Sequence, residues 1–424
     1  FELEFENSMR ELGVELEYRY QTQEYQSGRY DSQILHCLKH RKRIAEILLS
    51  FMSDKGKAQK GIDPEEYQEA FWPVSIYSRF TGKDNTTVLS FDEESELLTY
   101  RCNETGNTER VDLRVDRIAK LSWKVDWPMR WAQEQVCFEP AGHDHAAPGG
   151  SYDVASIIAS EIFNWEPPLF VGYQFIGLQG LGGKMSGSSG LSVSPTQLLE
   201  IYEPALLKWL YARKSPDQGF ALAFDSEIFR QYDEFDREAL LRLKDELEPV
   251  RRASFDIAVA GAERPSRPIP FRQAVAFGQI VQWDVEKVAQ VSRDLGLEYD
   301  VDNMRVRLGK ARAWLETYNQ SELLRLNDSV NLSYVDSMSE QALVYVRKLR
   351  SVLAWDTTCG VAELEELVYS IPKDPSLEQK ENSVRQRTFF ADVYNLLIGS
   401  GTGPRLSTFL WAVDRDLVLR LLDV

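Results

Sequence analysis

The sequence predicts an α/β nucleotide-binding domain with a small β-rich insertion, followed by an all-α domain. Between residues 119 and 215, strand-like, helix-like and glycine-rich segments succeed one another, as in a parallel nucleotide-binding sheet. Short alternating apolar runs, separated by turn residues, predict strands between residues 73 and 118. From residue 216 onward, nearly every segment has the apolar periodicity of a helix.

Four segments are expected along the chain: a mainly helical one (1–72), the β-rich insertion (73–118), the α/β segment (119–215) and the all-α segment (216–424). The sequence has no repeat of fixed period, so the all-α segment is not expected to be a solenoid. Its predicted helices span 226–247, 271–281, 284–295, 302–318, 338–354, 361–370, 384–398 and 405–422.

Composition favours a cytoplasmic protein with more than one domain. The 424 residues, 43% of them hydrophobic, are enough for two or more cores. The net charge of −17 repels polyanions at long range and alone favours a metabolic enzyme, since nucleic-acid affinity rests on phosphate neutralisation. A basic run such as 39–43 is most often a solvated helix face. Scattered cysteines, no apolar leader and no span of about 18 apolar residues indicate a reducing compartment and no membrane contact.

Glycines are concentrated in one loop. Seven of the 25 glycines lie between Gly172 and Gly190. Composition alone suits a flexible linker, but the run lies between a strand-like segment and the capping box Ser194-Pro195-Thr196-Gln197, so it is tied inside one domain. Glycine backbone with lysine and serine side chains suits a mobile anion clamp. The candidates in this clamp are Lys184, Ser186 and Ser188.

The run Lys184-Met185-Ser186-Gly187-Ser188 resembles the Lys-Met-Ser-Lys-Ser signature of class I aminoacyl-tRNA synthetases, with Gly in place of the second Lys. In that family the loop closes over the ATP triphosphate. Residues 121–153 are similar to the class I lysyl-tRNA synthetases specifically. The resemblance covers the whole chain. It implies part of a Rossmann-type class I catalytic domain and an all-α, anticodon-binding helical cage.

The resemblance also implies roles for individual residues. The catalytic residues would be Lys184, Ser186 and Ser188, and the ATP-binding residues Gly142, Asp144, Lys184 and Met185, with Asp144 on a ribose hydroxyl. The lysine pocket would contain Trp123, His145 and Tyr173. For Trp127 and Trp131, packing in the core is an equally good interpretation. The carboxylate that pairs with the ε-amine of lysine stays open between Asp126 and Glu139.

The expected cofactor chemistry is ATP with Mg²⁺ and no zinc. Many relatives carry paired-cysteine zinc knuckles in the β-rich insertion, whereas the equivalent stretches 76–82 and 100–106 contain one cysteine in total. A metal site at His143-Asp144-His145 is the rival interpretation of that run, but no third ligand follows at a suitable spacing.

The helical half resembles the cage with which class I lysyl- and glutamyl-tRNA synthetases hold the anticodon. Its candidate tRNA-binding residues are Arg272, Arg385, Arg387 and Arg405, because arginines stack on unpaired bases. The implied partners are L-lysine and tRNA-Lys, without DNA. The sequence leaves the oligomeric state open, with a monomer as the working expectation.

One family signature has no counterpart. Class I synthetases need a His-x-Gly-His helix start, and the four histidines (His36, His40, His143, His145) never take that spacing. We therefore expect about the first quarter of a full enzyme to be absent and this fragment to be inactive. Two alternatives remain open, a catalytically inactive tRNA-binding paralogue and a glutamyl-type class I synthetase.

In the full-length enzyme, we expect Lys184→Ala to lower kcat by about two decades or more, because pyrophosphate gains charge as its bond breaks. The Michaelis constant for ATP should change much less. Pyrophosphate exchange measures both quantities, and equal activity of variant and parent would remove Lys184 from the mechanism.

Overall fold

The computed structural model describes residues 2–59, 61–180, 193–261, 267–355 and 360–424. The chain divides into two units. We call the first the α/β unit, which comprises Leu16–Ile176 and Ser215–Phe220. The second is the helical unit, which comprises Phe1–Glu15, Gly177–Lys214 and Ala221–Val424.

The elements are numbered in chain order. Up to residue 121 they are α1 (Glu2–Glu11), α2 (Gln21–Ser27), α3 (Asp31–Lys39), α4 (Arg41–Ser50), α5 (Asp54–Gln59), α6 (Pro64–Ala70), β1 (Val74–Ile76), β2 (Thr86–Asp92), β3 (Leu97–Cys102), β4 (Thr108–Asp112), α7 (Leu113–Asp116) and β5 (Ala119–Leu121). There follow α8 (Trp123–Glu134), β6 (Phe138–Gly142), a 3₁₀ turn (His143–His145), α9 (Ser151–Ile162), β7 (Leu169–Tyr173), β8 (Ile176–Gln179), α10 (Pro195–Ile201), α11 (Pro204–Ala212) and β9 (Phe220–Ala223). The remainder are α12 (Glu227–Leu243), α13 (Pro249–Ala258), α14 (Phe271–Ile280), α15 (Val285–Asp294), α16 (Val301–Tyr318), a 3₁₀ turn (Gln320–Glu322), α17 (Leu332–Val335), α18 (Glu340–Trp355), α19 (Val361–Ser370), α20 (Gln379–Ile398), α21 (Leu406–Ala412) and α22 (Arg415–Leu421).

In its described residues, the α/β unit contains three small groups of paired strands. β6 and β7 are parallel, with Phe138 opposite Leu169 and Gly142 opposite Tyr173. The helix α9 connects them, so β6, α9 and β7 form a βαβ unit. β1 pairs antiparallel with β5, and β2, β3 and β4 form an antiparallel sheet with a bulge near Val88. The strand-like sequence 169–176 is interrupted, since β7 ends at Tyr173, the N–H of Gln174 donates to the carbonyl of Pro216 at 2.8 Å, and β8 begins only at Ile176.

Helical spacing of apolar residues explains the core of the α/β unit. In α4, Ile44, Ile47 and Leu48 lie at the i, i+3 and i+4 positions of one face, and all three are buried. They join a cluster that also contains Ile34 of α3 and Val154 of α9. The apolar periodicity of residues 31–51 predicts a single amphipathic helix, whereas the structure has two, α3 and α4, because His40 (φ −99°, ψ 12°) ends one and begins the next.

The helical unit has an aromatic core. Phe271 of α14 stacks on Tyr232 of α12 with ring centroids 4.0 Å apart, and it meets Trp314 of α16 edge to face at 6.2 Å. The indole N–H of Trp314 donates to the carbonyl of Phe224 at 2.9 Å, which satisfies the polar atom of this fully buried side chain. Among the described helices, none combines the length and apolarity that crossing a bilayer requires.

Two helical predictions need correction. The segment 405–422 is two helices, because Val413 is extended (ψ 162°) and the carboxylate of Asp414 accepts from the N–H of Leu417, which caps α22. α13, which begins with Pro249 in its first turn, was not predicted. The capping box at Ser194 is confirmed, since Ser194 and Gln197 exchange backbone-to-side-chain hydrogen bonds at the start of α10.

A buried ion cluster links α11, α12 and α16. Arg307 is 1% exposed, and its guanidinium donates to Glu203 (2.6 Å), Asp236 (2.5 Å) and the carbonyl of Ile269 (2.7 Å). Both carboxylates are themselves mostly buried, with 13% and 17% of their side chains exposed. The arginine therefore compensates two mostly buried negative charges.

We expect Arg307→Met to reduce the free energy of unfolding by about 3–5 kcal/mol, because two buried carboxylates lose their cation. Urea titration followed by circular dichroism measures this change. The matched control is Arg312→Met in the same helix, which breaks an exposed pair with Glu316 and should cost less than about 1 kcal/mol. Similar losses for both variants would contradict the assignment.

Candidate active site

The carboxyl ends of two parallel strands bring several predicted site residues together. β6 ends at Gly142 and β7 at Tyr173, and these two residues are register partners. The 3₁₀ turn of His143–His145 follows β6 directly. Ligands of open α/β sheets bind at this end of the strands. Tyr173 is 47% exposed there, so its side chain is available to a ligand.

Two glycines permit the close packing of this turn. A Cβ on Gly142 would lie 2.7 Å from Oδ1 of Asp144, so any other residue at this position would push that exposed carboxylate aside. A Cβ on Gly172 would lie 3.2 Å from the Cβ of Ala146, which packs against β7. Glycine at residue 142 thus leaves room for the carboxylate of Asp144, the acid predicted to bind ribose.

Three tryptophans of α8 separate into one accessible and two buried side chains. Trp123 is 49% exposed, whereas Trp127 is 6% and Trp131 is 1% exposed. Trp127 stacks on Trp123 with centroids 5.3 Å apart and meets Trp131 at 4.9 Å. Spacing by four residues places the three on one helix face. The core interpretation therefore holds for Trp127 and Trp131, while Trp123 presents its ring at the surface of the unit.

His145 lies beside this aromatic row. Its ring centroid is 6.4 Å from that of Trp123 and 5.7 Å from that of Trp127, which it meets edge to face. Its Nε2 is 4.0 Å from Oδ2 of Asp144, and about a third of the His145 side chain is exposed. An accessible indole face, an imidazole and a carboxylate therefore lie together, which suits a ligand that carries a cation.

Neither carboxylate proposed as the lysine partner is free. Asp126 is 5% exposed; the hydroxyl of Tyr25 donates to its Oδ1 at 2.5 Å, and Nε of Arg130 lies 3.0 Å from its Oδ2. Glu139 accepts from the indole N–H of Trp131 at 3.0 Å. Both acids thus serve contacts within the protein in this structure.

Sequence reasoning missed Tyr25 and Arg130. The phenol of Tyr25 also accepts from the N–H of Leu121 at 3.2 Å, so it connects α2, β5 and α8. Burial, reinforced by the carboxylate of Asp126, raises the pKa of Tyr25 above its ordinary value, so the phenol stays a donor. The four-residue spacing of Asp126 and Arg130 in a helix was a local signal for their ion pair. The contact of Tyr25, 101 residues away from Asp126, had none.

Hydrogen bonds stabilise the stretches 76–82 and 100–106 of the β-rich insertion, where many relatives carry zinc knuckles. Ser78 and Cys102 are buried, and the Ser78 oxygen accepts from the N–H of Phe80 at 3.2 Å. Hydrogen bonds from Ser78 and then Thr105 lower the pKa of the Cys102 thiol to about 6. Within the described part of the chain, no three His, Cys, Asp or Glu side chains come together as a metal site.

The basic groups mostly face carboxylates or carbonyls. In the α/β unit, the run 39–43 makes ion pairs with Glu96, Glu69, Glu46 and Glu161. In the helical unit, Arg405 pairs with Glu365, and Arg385 contacts Tyr345 and lies 3.5 Å from Asp374. Arg272 lies over the ring of Phe229 at 4.2 Å, and Arg387 donates to the carbonyl of Ser383 in its own helix at 3.3 Å.

The predicted phosphate loop lies outside the described residues, and with it Lys184, Met185, Ser186 and Ser188. Its described flanks are β8 and α10. Gly180, at the end of β8, has a φ of +90°, and a Cβ there would lie 2.8 Å from the N of Asp225. A side chain at residue 180 would therefore be strained and would clash with backbone.

Comparisons with known proteins agree on one family. The family model of class I tRNA synthetases (K) matches residues 1–255. A lysine–tRNA ligase from Streptomyces coelicolor is 38% identical over 98% of this chain and 77% of its own length. One from Treponema pallidum is 32% identical over 100% of this chain and 78% of its own length. A solved glutamate tRNA ligase from Elizabethkingia meningosepticum, 12% identical and covering 98% of this chain and 87% of its own, has a TM-score of 0.43, too low to add to the assignment. The family match and the identity across nearly the whole chain show that this chain belongs to the class I tRNA synthetases of the lysine (K) type.

Proposed function

We propose that this protein is a lysine–tRNA ligase that activates L-lysine with ATP and transfers it to tRNA-Lys in the cytoplasm. The observation that carries this proposal is the convergence of Gly142, Asp144, His145 and Tyr173 at the carboxyl ends of β6 and β7, with Trp123 beside His145. The names of the two relatives support lysine as the amino acid.

The lysine side of the pocket rests on Trp123, His145 and Tyr173. The half-exposed indole of Trp123 offers a negative ring face to the ε-ammonium of lysine. His145 and Tyr173 supply polar groups on the side of the strand ends, where they orient the ligand by hydrogen bonds. Recognition thus depends on an accessible aromatic face, with Asp126 buried behind it.

The nucleotide side rests on Gly142 and Asp144. The carboxylate of Asp144 lies in the space that Gly142 leaves at the end of β6, and because it is 60% exposed it can accept from a ribose hydroxyl. Lys184, Met185, Ser186 and Ser188 are assigned to the triphosphate from the sequence alone. Bound Mg²⁺ would neutralise phosphate charge.

The proposed reaction needs no covalent enzyme intermediate. A carboxylate oxygen of lysine attacks the α-phosphorus of ATP, the bond to the β-phosphate oxygen breaks, and pyrophosphate leaves. A terminal ribose hydroxyl of the tRNA then attacks the activated carbonyl, loses its proton and displaces AMP. The residues of the chain act by positioning and by stabilising charge, because both steps use nucleophiles that the substrates bring.

The helical unit is the proposed binding surface for the anticodon arm of the tRNA. Of the four candidate arginines, Arg387 and Arg272 are exposed and have no carboxylate within 4.0 Å among the described residues, whereas Arg385 and Arg405 do. The first two therefore keep more of their charge for a phosphate or a base.

We expect Trp123→Ala to raise the Michaelis constant for lysine by about tenfold, because the ε-ammonium loses the indole face. The constant for ATP should change by less than about twofold. Pyrophosphate exchange at varied lysine and ATP concentrations measures both. Trp123→Phe, which keeps an aromatic ring, is the matched control and should lie between parent and Ala variant. A rise in the ATP constant alone would place the lysine pocket elsewhere.

We expect Arg387→Gln to weaken tRNA-Lys binding and to reduce the slope of log affinity against log salt by about one. Arg405→Gln should have a smaller effect, since Glu365 already neutralises Arg405. Filter binding at several salt concentrations compares the two variants. Unchanged affinity and slope in Arg387→Gln would exclude it from the interface.

A further inference from the structure

A partly buried ion pair lies beside the accessible tryptophan. Asp126 and Arg130 are one turn apart in α8, and Trp123 begins that helix. The guanidinium carbon of Arg130 lies over the Trp123 ring, 5.7 Å from its centroid. The same indole that we assign to the substrate ammonium is therefore already next to a protein cation.

The two members of the pair are held differently. Asp126 is 5% exposed and is fixed by the short hydrogen bond from Tyr25. Arg130 is about a quarter exposed, and its buried Nε has no well-directed hydrogen bond, although it lies 3.0 Å from Oδ2 of Asp126. Charge and ring contact, and not a bidentate hydrogen-bonded fork, hold this guanidinium.

The charges of Asp126 and Arg130 affect which ligands the pocket binds. A cation held by an aromatic ring lies within about 6 Å of its centroid, so a bound ε-ammonium and Arg130 would be neighbours. The carboxylate of Asp126 and the guanidinium of Arg130 carry opposite charges, so together they present nearly no net charge to the ligand. Removing the carboxylate would leave a repelling cation, and removing the guanidinium would leave an attracting carboxylate.

We propose that Asp126 and Arg130 are a charge-balancing pair that sets how strongly the pocket prefers an ammonium-bearing side chain to an uncharged one. The pair acts through Trp123 and is a positioning element, not a catalytic one. The inference rests on the proposed function, because it takes Trp123 as the wall that meets the ε-ammonium.

The test compares L-lysine with L-norleucine, which has the same chain length and no ε-ammonium. The dissociation constant of each ligand is measured by calorimetry for the parent and for Asp126→Asn, Arg130→Met and the double variant, all in the full-length enzyme. Asp126→Asn should lower the preference for lysine over norleucine by about fivefold, and Arg130→Met should raise it by a similar factor. The double variant should return to within about twofold of the parent.

The charge-balancing proposal predicts that the two single variants change the preference for lysine in opposite directions, which a purely structural role of the pair would not do. If both single variants lower the preference, or if neither changes it, the charge-balancing pair is refuted. Because norleucine also reports damage to the pocket, general disorder cancels in the ratio. Arg130→Lys is the matched control that keeps the charge, and its ratio should stay within about twofold of the parent.

If Asp126→Asn does not fold, the two Arg130 variants still test the proposal. Arg130→Met is expected to raise the ratio of lysine to norleucine affinity, whereas Arg130→Lys is expected to leave that ratio unchanged. Trp123→Ala, measured in parallel, separates the two proposals. If it loses the preference for lysine while the Arg130 variants do not change the ratio, the pair fails and the lysine pocket stands. If it keeps the preference for lysine, the pocket assignment itself fails, and this inference fails with it.

Discussion

The parallel pairing of β6 with β7 is the constraint on which the candidate site depends. Both strands end at the same edge because α9 carries the chain back between them, and the register sets Gly142 directly opposite Tyr173. The turn after β6 lies close against β7 at Gly172, where an added Cβ would be 3.2 Å from the Cβ of Ala146. Residues from distant parts of the sequence therefore become neighbours through backbone geometry, and their chemistry depends on that pairing.

Structural elements whose sequence pattern lies within a few neighbouring residues were predictable. The capping box at Ser194 and the apolar face of α4 follow from spacing within one or two helical turns, and both occur as expected. The break between α21 and α22 was not predictable in the same way, since Asp414 as a cap looks like any acid on a helix surface. α13 was missed although its sequence carries two local signals, Pro249 in the first turn and an apolar face that buries Phe255 and Ala258.

The sequence predicted which residues belong to the candidate site, but it did not predict how exposed each side chain is or which partners it contacts. Sequence spacing put Trp123, Trp127 and Trp131 on one face but could not rank them, because exposure depends on what packs against each ring. The neighbours of Trp127 and Trp131 bury them, and Trp123 at the first turn stays accessible. The contact from Tyr25 to Asp126 spans 101 residues, so only the folded chain reveals that this acid is engaged inside the protein.

The strong negative charge of the chain bears differently on the two proposed substrates. Because its acidic residues outnumber its basic ones, the chain carries a net charge of −17, and carboxylates dominate its long-range field. That field attracts the lysine ammonium and repels the RNA phosphates. Binding of RNA must then rely on contact distances, below a Debye length of about 8 Å, where single arginines outweigh distant acids. Selection of lysine, by contrast, cannot rely on long-range attraction alone, because a negative field attracts every cation equally. The shape of the pocket and the local balance of charge around Trp123 must therefore distinguish lysine from other cations.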